Sequence, residues 1–378
     1  MSATSHEVVQ AARTLGAAQR LRLLDEQAAQ VEEHALAAST RRYYARDFAA
    51  YEQWCAAMGL AALPCRPASV RLYLVDLASR FTSDGEPIYR ASSIERRLAS
   101  LSHHHDQAGY GRGLARDPLI ATTMRAIRRQ RQESVARKRP LLVQDLRALV
   151  EAMEHHRYPT GIAAARDTLL FVLAFATAMR REELSRLRIR DVSAHPTDGL
   201  WVRVATSKTD QAGAGVRLAV PRGQYPITCC LCALVRWTSL LVADDRVAAM
   251  RVVVGTPMRP STWQHHCDDA LLRRQLAALP QDEYLFRSVT KGGQVAANRL
   301  STSGMAGALN RRLRKAHYDA QLYGMHSFRA GFVTQARRNG ADARAVRRQT
   351  RHGSDAMVDV YDREWNPLEG NAVGRLGL

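Results

Sequence analysis

The sequence predicts a mainly α-helical protein with a small β-sheet, divided into two domains. Apolar residues recur at helical spacing through the first part of the chain, and no strand-like alternation interrupts them before residue 132. A polar, basic segment that ends in Pro140 indicates a linker over residues 133–140. Beyond it, two short runs of β-type residues enclose a turn-rich stretch and predict a hairpin among further helices. We therefore expect a helical domain at 1–132 and a mixed α/β domain at 141–378.

The first domain is built from amphipathic helices in this prediction. An Ala- and Gln-rich start indicates one helix, and the next carries a stripe of Tyr44, Phe48, Tyr51 and Cys55. Further helices are predicted over 67–79, with Pro67 in the first turn, over 92–106, and over 118–131.

The second domain mixes helices with the hairpin. Helices are predicted over 142–153 and 162–179, β-type runs over 201–205 and 216–220, helical character over 228–280, and helices again from 301. Asn339-Gly340 is typical of a helix C-cap and Asp342 of the next N-cap. The apolar run 169–176 is too short to cross a bilayer and predicts a buried helix, so we expect no membrane partner.

The charge of the chain indicates a polyanionic partner. The 378 residues include 55 Lys+Arg and 36 Asp+Glu, a formal charge of +19, and the excess clusters at 125–139 and 337–351. Six cysteines in a chain without a visible signal peptide favour reduced thiols and a cytoplasmic location. The sequence therefore predicts a cytoplasmic protein that faces nucleic acid.

The last fifth of the chain carries four residues suited to phosphoryl transfer. His326 and Arg329 are three residues apart, so on a helix they project from one face. His352 lies nine residues before Tyr361, across a turn-rich stretch. An arginine can clamp two phosphate oxygens, histidines can donate or move protons, and a phenol can attack phosphorus. The set predicts phosphoryl transfer with a tyrosine nucleophile.

Two further positions could serve the same chemistry. Arg180 and Glu183 are three residues apart, so the carboxylate can hold the guanidinium in place. Lys208 lies at the base of the predicted hairpin and could protonate a leaving oxygen. Either feature alone is typical of a solvated surface. They indicate a catalytic role only in combination with the four residues of the last fifth of the chain.

Taken in chain order, these residues resemble the motifs of the tyrosine recombinase (phage integrase) family. The resemblance is carried by Thr177-Ala-Met-Arg180-Arg-Glu-Glu183-Leu184, Thr206-Ser-Lys208-Thr-Asp-Gln211, His326-Ser-Phe-Arg329-Ala-Gly331, and Arg351-His352-Gly-Ser354 with Tyr361. In the N-terminal half, residues 39–55, beginning Ser39-Thr-Arg41-Arg42-Tyr-Tyr44, are similar to the first helix of the family's core-binding domain. The resemblance covers nearly the whole chain.

The resemblance implies a two-domain DNA clamp with a helical core-binding domain and an α/β catalytic domain. It implies a Cre- or Xer-like site-specific recombinase that cleaves and rejoins DNA through a 3′-phosphotyrosyl intermediate. Such an enzyme acts as a homo-tetramer on two double-stranded sites, with or without accessory proteins, in a bacterial cytoplasm at the nucleoid. It needs no cofactor, since the phosphotyrosine conserves the bond energy. The tail after Tyr361 would exchange between protomers.

The family also implies a role for each motif residue. Tyr361 would be the nucleophile, and Arg180 and Arg329 would clamp the phosphate. His326 would accept the phenol proton or orient the phenol, and Lys208 would be the general acid. His352 would donate a hydrogen bond to the phosphate, and Glu183 would be a supporting carboxylate. From the basic clusters and the first-helix likeness we expect DNA contacts from Arg41, Arg42, Arg125, Arg128, Arg129, Arg137, Lys138 and Arg139.

The chain departs from the family pattern at three places. Ala178 replaces the glycine usual before the first arginine motif, and Thr350-Arg351 replaces the usual Leu-Gly before His352. Neither change removes a chemical group, but both could shift the backbone. Residues 239–280 form a longer connection than the family usually has.

The insertion raises the question of zinc. Cys229 and Cys232 have Cys-x-x-Cys spacing, and His265, His266 and Cys267 follow downstream. The downstream residues are adjacent or nearly so, which is a poor spacing for a tetrahedral site. The Cys229 segment also resembles a family helix start in which the cysteine is structural. We therefore predict no metal.

Two other functions remain open from sequence. A type IB topoisomerase-like or hairpin-resolving enzyme would use the same chemistry without exchanging partners. A DNA-binding regulator could keep the fold without cleaving, although no required residue is missing. A metal-dependent nuclease is disfavoured because the sequence has no carboxylate cluster.

Overall fold

A computed structural model describes residues 19–22, 24, 36, 38–131, 138–195, 198–205, 215–255, 264–351, 373 and 376. The chain separates into two compact units, Met1–Ala136 and Arg137–Leu378. This division falls within the segment predicted as a linker.

The regular secondary structure described in the first unit is helical, apart from one isolated bridge between Phe81 and Pro87. Its helices are α1 (Ala38–Ala57), α2 (Pro67–Ala78), α3 (Ala91–Gln107) and α4 (Pro118–Arg131). Pro67 opens α2, as predicted. The stripe predicted on α1 faces the core, where Phe48, Tyr51 and Cys55 are buried.

The core of the first unit is apolar but includes the buried carboxylate of Asp47. Tyr51 and Tyr73 lie 5.0 Å apart between ring centroids and are both buried. Asp47 is 1% exposed, and Arg96 donates to its carboxylate at 2.9 Å, which satisfies the buried charge. This pair ties α1 to α3.

The second unit opens with helices and a three-stranded sheet. Its elements are α5 (Val143–Glu151), α6 (Thr160–Thr177), α7 (Arg181–Arg186), β1 (Val192–Ala194), β2 (Leu200–Val204) and β3 (Val216–Val220). The strands pair antiparallel in the order β1-β2-β3, with Val202 opposite Leu218. The hairpin predicted at 201–220 is confirmed.

The remaining elements are α8 (Cys230–Leu241), α9 (Arg246–Gly255), α10 (Asp269–Ala278), β4 (Arg287–Val289), β5 (Val295–Arg299), α11 (Thr302–Lys315), α12 (His326–Arg338) and α13 (Ala343–Thr350). The caps predicted between the last two helices are confirmed. Asn339 ends α12, and the Asp342 carboxylate accepts from Ala345 N at 2.6 Å at the start of α13. The β4–β5 hairpin was not predicted.

Helix α6 forms the centre of the second unit. It is long and apolar enough by composition to cross a membrane, but 78% of it is buried inside the unit. Phe171 stacks on Phe328 of α12 at 5.2 Å, and Trp237 of α8 is fully buried and donates to Leu285 O at 2.7 Å. The prediction of a buried helix at 169–176 is confirmed. The segment that contains Arg180 follows directly after this helix.

Candidate active site

Arg180 lies just beyond the C-terminal end of α6 and is held by Glu183. Helix α6 ends at Thr177, Ala178 takes a left-handed conformation (φ 47°, ψ 28°), and Arg180 becomes the N-cap residue of α7. The Glu183 carboxylate accepts from Arg180 N at 2.9 Å and from its Nη1 at 3.1 Å. The contact predicted from their spacing is confirmed. A charge-assisted bond of this kind fixes the guanidinium while leaving its other donors for an anion.

The left-handed residue stands where the family usually has glycine. An L-residue in this region costs about 1–2 kcal/mol, so alanine keeps the glycine-type backbone at an energetic cost. Ala178 thus changes the side chain at this position while adopting a conformation that glycine takes readily.

Arg329 is joined directly to this turn. It lies in the first turn of α12, is 2% exposed, and donates through Nη1 to Ala178 O at 2.7 Å. Two guanidinium groups, one buried and one 26% exposed, are thus attached to one short segment at the end of α6. Nothing in the sequence indicated the contact between Arg329 and Ala178.

His326 is the first residue of α12 and is exposed, one helical turn before Arg329. The start of this helix is fixed by its neighbours: Ser327 N donates to Gly324 O at 2.8 Å, and Leu141 N donates to Ser327 O at 3.0 Å. Gly331 lies so close to the same segment that a Cβ would be 1.8 Å from Leu141 O. Only glycine permits α12 to approach that segment.

Arg351 is a contact that the sequence prediction missed. It ends α13 in a left-handed conformation (φ 59°, ψ 42°), and its side chain is 8% exposed. Its Nη2 donates to Glu183 Oε2 at 2.8 Å. The one usable indication in the sequence was the departure itself, since an arginine stands where the family usually has glycine.

A basic cleft opens beside the start of α12. The cleft has a volume of about 570 Å³, and its wall includes Lys138, Arg181, Arg314, Gly324 and Met325. Three of its lining residues are basic and none is acidic. Such a cleft attracts phosphate groups to the neighbourhood of His326.

Several predicted residues lie outside the described part of the chain: Lys208, His352, Tyr361 and Arg137. The described strands β2 and β3 flank the Lys208 segment. A small cavity of about 30 Å³ beside the end of β2 is lined by Glu183, Val204 and Ala205, so that end of the hairpin lies next to the Arg180–Glu183 pair.

The predicted DNA-contact residues that the structure describes lie at the surface. Arg42, Arg125, Arg128, Arg129, Lys138 and Arg139 are exposed, and Arg41 is half-buried. Arg128 is already ion-paired with Glu95. Their contact with DNA stays a prediction.

The structure corrects the argument made against a metal site. Cys229, Cys232, His265 and Cys267 place one ligand atom each within 4.8 Å of one another. Closeness in sequence does not prevent a tetrahedral set, because His265 Nδ1 and Cys267 Sγ both lie within 3.5 Å of Cys232 Sγ. His266, between them, donates instead to Cys232 O at 3.1 Å.

Comparison with known proteins supports the family named above. No family model matches the chain. An integrase/recombinase XerD homolog of Selenomonas ruminantium is 28% identical over 346 residues, which cover 91% of this chain and 87% of that protein. Recombinase Cre of Escherichia phage P1 is 25% identical over 196 residues, about half of each chain.

A solved structure shares the fold. The Tn1549 transposon integrase, solved with transposon right-end DNA, covers 88% of this chain and 92% of its own with a TM-score of 0.50 and 13% identity. The fold is thus that of a recombinase with helical and mixed α/β parts. Over most of its length the chain is similar to tyrosine recombinases.

Proposed function

We propose that this protein is a site-specific DNA recombinase that cleaves and rejoins DNA through a 3′-phosphotyrosyl intermediate on Tyr361. It acts as a homo-tetramer on two double-stranded sites, in a bacterial cytoplasm and at the nucleoid. Its DNA sites belong to a mobile element, and accessory proteins take part where the site requires them. Its relatives are named as an integrase/recombinase and a recombinase.

The arginine arrangement carries this proposal. Arg329 Nη1 binds the carbonyl of Ala178, and Arg180, two residues further on, is held by Glu183. Both guanidinium groups are therefore fixed before any substrate arrives. Fixed donors stabilise developing charge without a reorganisation step, which suits the non-bridging oxygens of a phosphodiester in its transition state.

The proposed step balances in atoms and charge. The Tyr361 oxygen attacks the scissile phosphorus, the phosphorus–5′-oxygen bond breaks, and a phosphotyrosyl ester and a 5′-hydroxyl form. His326 accepts the phenol proton or orients the phenol, and Lys208 supplies a proton to the leaving 5′-oxygen. Arg180 and Arg329 hold the two non-bridging oxygens. His352 donates a hydrogen bond to the phosphate.

The test uses a nicked suicide substrate, taken from DNA that flanks the gene, in buffer without divalent metal. Wild type should form a covalent protein–DNA adduct on a denaturing gel, and Tyr361→Phe should form none. Arg180→Ala should slow adduct formation by about 100- to 1,000-fold. Arg274→Ala removes an exposed arginine of α10 and should behave as wild type.

A site that is bound specifically without an adduct would overturn the proposal in favour of a non-cleaving regulator. An adduct that reseals without joining a second duplex would instead favour the topoisomerase-like or resolving alternative. Both outcomes are read from one gel when a labelled partner duplex is present.

A further inference from the structure

Four potential metal ligands converge at the start of α8. The Cys232 and Cys267 sulfurs are 3.1 Å apart, and the Cys229 and Cys267 sulfurs 3.5 Å. His265 Nδ1 lies 3.5 Å from both Cys232 Sγ and Cys267 Sγ. Cys229 and Cys232 are buried, Cys267 is half-buried, and His265 lies at the surface.

These distances match a tetrahedral zinc site better than they match free thiols or disulfides. Zinc–sulfur bonds of about 2.3 Å and zinc–nitrogen bonds of about 2.0 Å place ligands ~3.8 Å apart for two sulfurs and ~3.5 Å apart for sulfur and nitrogen. A disulfide needs about 2.05 Å. The Cys229, Cys232 and Cys267 sulfurs are therefore too far apart to be bonded, but close enough to bind one ion.

The neighbouring chain orients the ligands. His265 Nε2 lies 3.4 Å from Gln224 O, to which it donates, so in the neutral ring the lone pair is on Nδ1 and faces the sulfurs. Gly223 N donates to Cys229 Sγ at 3.4 Å. A Cβ on Gly223 would lie 2.8 Å from Cys229 Cα, so this close approach requires glycine.

The N-terminal end of α8 suits thiolate ligands. Arg222 donates to Cys267 O at 3.3 Å and is ion-paired with Asp198 at 2.9 Å and with Asp269 at 3.4 Å, so its charge is balanced within the protein. Cys229 and Cys232 lie at the N-terminal end of α8, where unsatisfied N–H groups stabilise anions. Three thiolates and one Zn²⁺ carry a net charge of −1, which the positive end of the helix dipole opposes.

We propose that Cys229, Cys232, His265 and Cys267 bind one structural Zn²⁺ ion. Three cysteines and one histidine are soft to borderline ligands, which select zinc over magnesium, calcium or manganese. Four protein ligands close the coordination shell, so the ion stabilises the fold and takes no part in strand cleavage. Binding releases one proton from each of the three thiols to solvent.

The zinc gives the 239–280 insertion an anchor. Cys229 and Cys232 flank the start of α8, whereas His265 and Cys267 immediately precede α10, which begins at Asp269. The ion therefore holds the segment that contains His265 and Cys267, within the insertion, against the start of α8, the helix that leads into the insertion. Gln275 of α10 reinforces the same junction through Thr238 at 2.7 Å. We expect the fold of this junction to depend on the metal.

The chain offers matched control variants for each ligand type. Cys230 is buried and adjacent to two ligands, but its thiol is not among the four converging atoms. His266 is adjacent to His265 and is engaged with Cys232 O. Cys230→Ala and His266→Ala therefore remove the same chemical groups at neighbouring positions without removing a ligand.

The experiment measures zinc in untagged full-length protein, purified under reducing conditions, by inductively coupled plasma mass spectrometry. We expect about one zinc per chain in wild type, Cys230→Ala and His266→Ala. Cys232→Ala and His265→Ala should lose most of it. Wild type refolded with Co²⁺ should show the visible absorption and sulfur-to-metal charge-transfer bands of a tetrahedral thiolate site.

Wild type without zinc that also fails to take up Zn²⁺ or Co²⁺ on refolding would overturn the proposal. Equal loss of metal from the ligand and control variants would overturn the ligand assignment. Because the wild-type metal content and the cobalt spectrum need no variant, a ligand variant that fails to fold does not weaken the test.

Discussion

The Glu183 carboxylate accepts a hydrogen bond from Arg351 Nη2 at 2.8 Å while its other oxygen binds Arg180 at 3.1 Å. The Glu183 side chain is 5% exposed, so one buried carboxylate serves two guanidinium groups. Through it, the residue that precedes His352 is tied to the first arginine motif. An arginine in place of the family's usual glycine thus adds a contact that a glycine could not make.

Arg351→Gly tests this contact. Glycine relieves a left-handed conformation that costs an L-residue about 1–2 kcal/mol. Losing a hydrogen bond between charged, buried groups costs about 1.5–3 kcal/mol. We expect a small net loss of stability in urea unfolding and about tenfold slower adduct formation, because Glu183 then holds Arg180 less firmly.

Arg351→Lys keeps the charge and should recover part of the rate. If Arg351→Gly is as active and as stable as wild type, Arg351 does not position Arg180.

Gly331→Ala tests the close approach of α12 to Leu141. The added Cβ would meet a backbone oxygen that cannot move aside, so α12 must shift together with His326 and Arg329. We expect destabilisation of about 1–3 kcal/mol and strong loss of adduct formation.

The matched control is Gly307→Ala in α11, where a Cβ meets only the end of the Arg311 side chain at 3.4 Å. Alanine replaces glycine in a helix interior there and should stabilise by about 0.5–1 kcal/mol. A Gly331→Ala protein that unfolds at the same urea concentration as wild type would contradict the packing argument.

Buried His155 predicts a dependence of stability on pH. Its Nε2 donates to Val150 O at 2.7 Å and its Nδ1 accepts from Arg236 at 2.8 Å, so the ring is neutral. Burial, and then the charge of Arg236, lower the pKa of His155 to about 3 from its ordinary 6.5. The unfolded chain therefore binds more protons than the native state between these values, and stability falls as the pH falls through that window, by up to about 1.4 kcal/mol per pH unit.

His155→Gln isolates this contribution, since glutamine can donate and accept at the same two positions without titrating. In urea unfolding from about pH 7 to about pH 4, the stability advantage of wild type over the variant should shrink steadily. An advantage that stays constant over this range would show that His155 is not the titrating group.

Local patterns were predictable, and long-range contacts were not. The Arg180–Glu183 contact follows from a spacing of three residues, and the caps at Asn339 and Asp342 follow from residue type. Arg329 and Ala178 are 151 positions apart, so their contact depends on how α12 packs on α6. No periodicity in either segment contains that information.

The cysteine cluster is a second case in which the sequence did not predict a long-range contact. The argument against a metal site used the spacing of the ligands along the chain. Metal binding depends instead on the distances between the ligand atoms in the folded protein. Cys232 and His265 are 33 positions apart, and only the return of the chain to the start of α8 brings them within 3.5 Å. The β4–β5 hairpin was missed because polar residues fill much of it, and its five-residue strand ends in Ala-Asn-Arg.

The C-terminal tail should contribute to assembly more than to binding. The family resemblance implies that residues after Tyr361 would dock on a neighbouring protomer, so deletion of 366–378 should remove that contact and leave the predicted DNA-contacting residues in place. We expect synapsis of two sites to fall much more than binding to one site, compared by native gel shift with one and two duplexes. Equal loss in both assays would count against the exchange of this tail.

Arg125 and Arg129 are expected to bind phosphate, whereas Arg128 is engaged within the protein. Arg125 and Arg129 are one helical turn apart on α4 and exposed, and Arg128 is ion-paired with Glu95. Each phosphate neutralised adds about 0.9 to the slope of log K against log salt concentration. The double variant Arg125→Ala/Arg129→Ala should therefore lower that slope by about 1.8, while Arg128→Ala should lower it by less than one such increment. Fluorescence anisotropy on one DNA site over a range of salt concentrations measures both slopes. A double variant with an unchanged slope would place the DNA on another face of the first unit, since the loss of two phosphate contacts must appear as fewer released counterions.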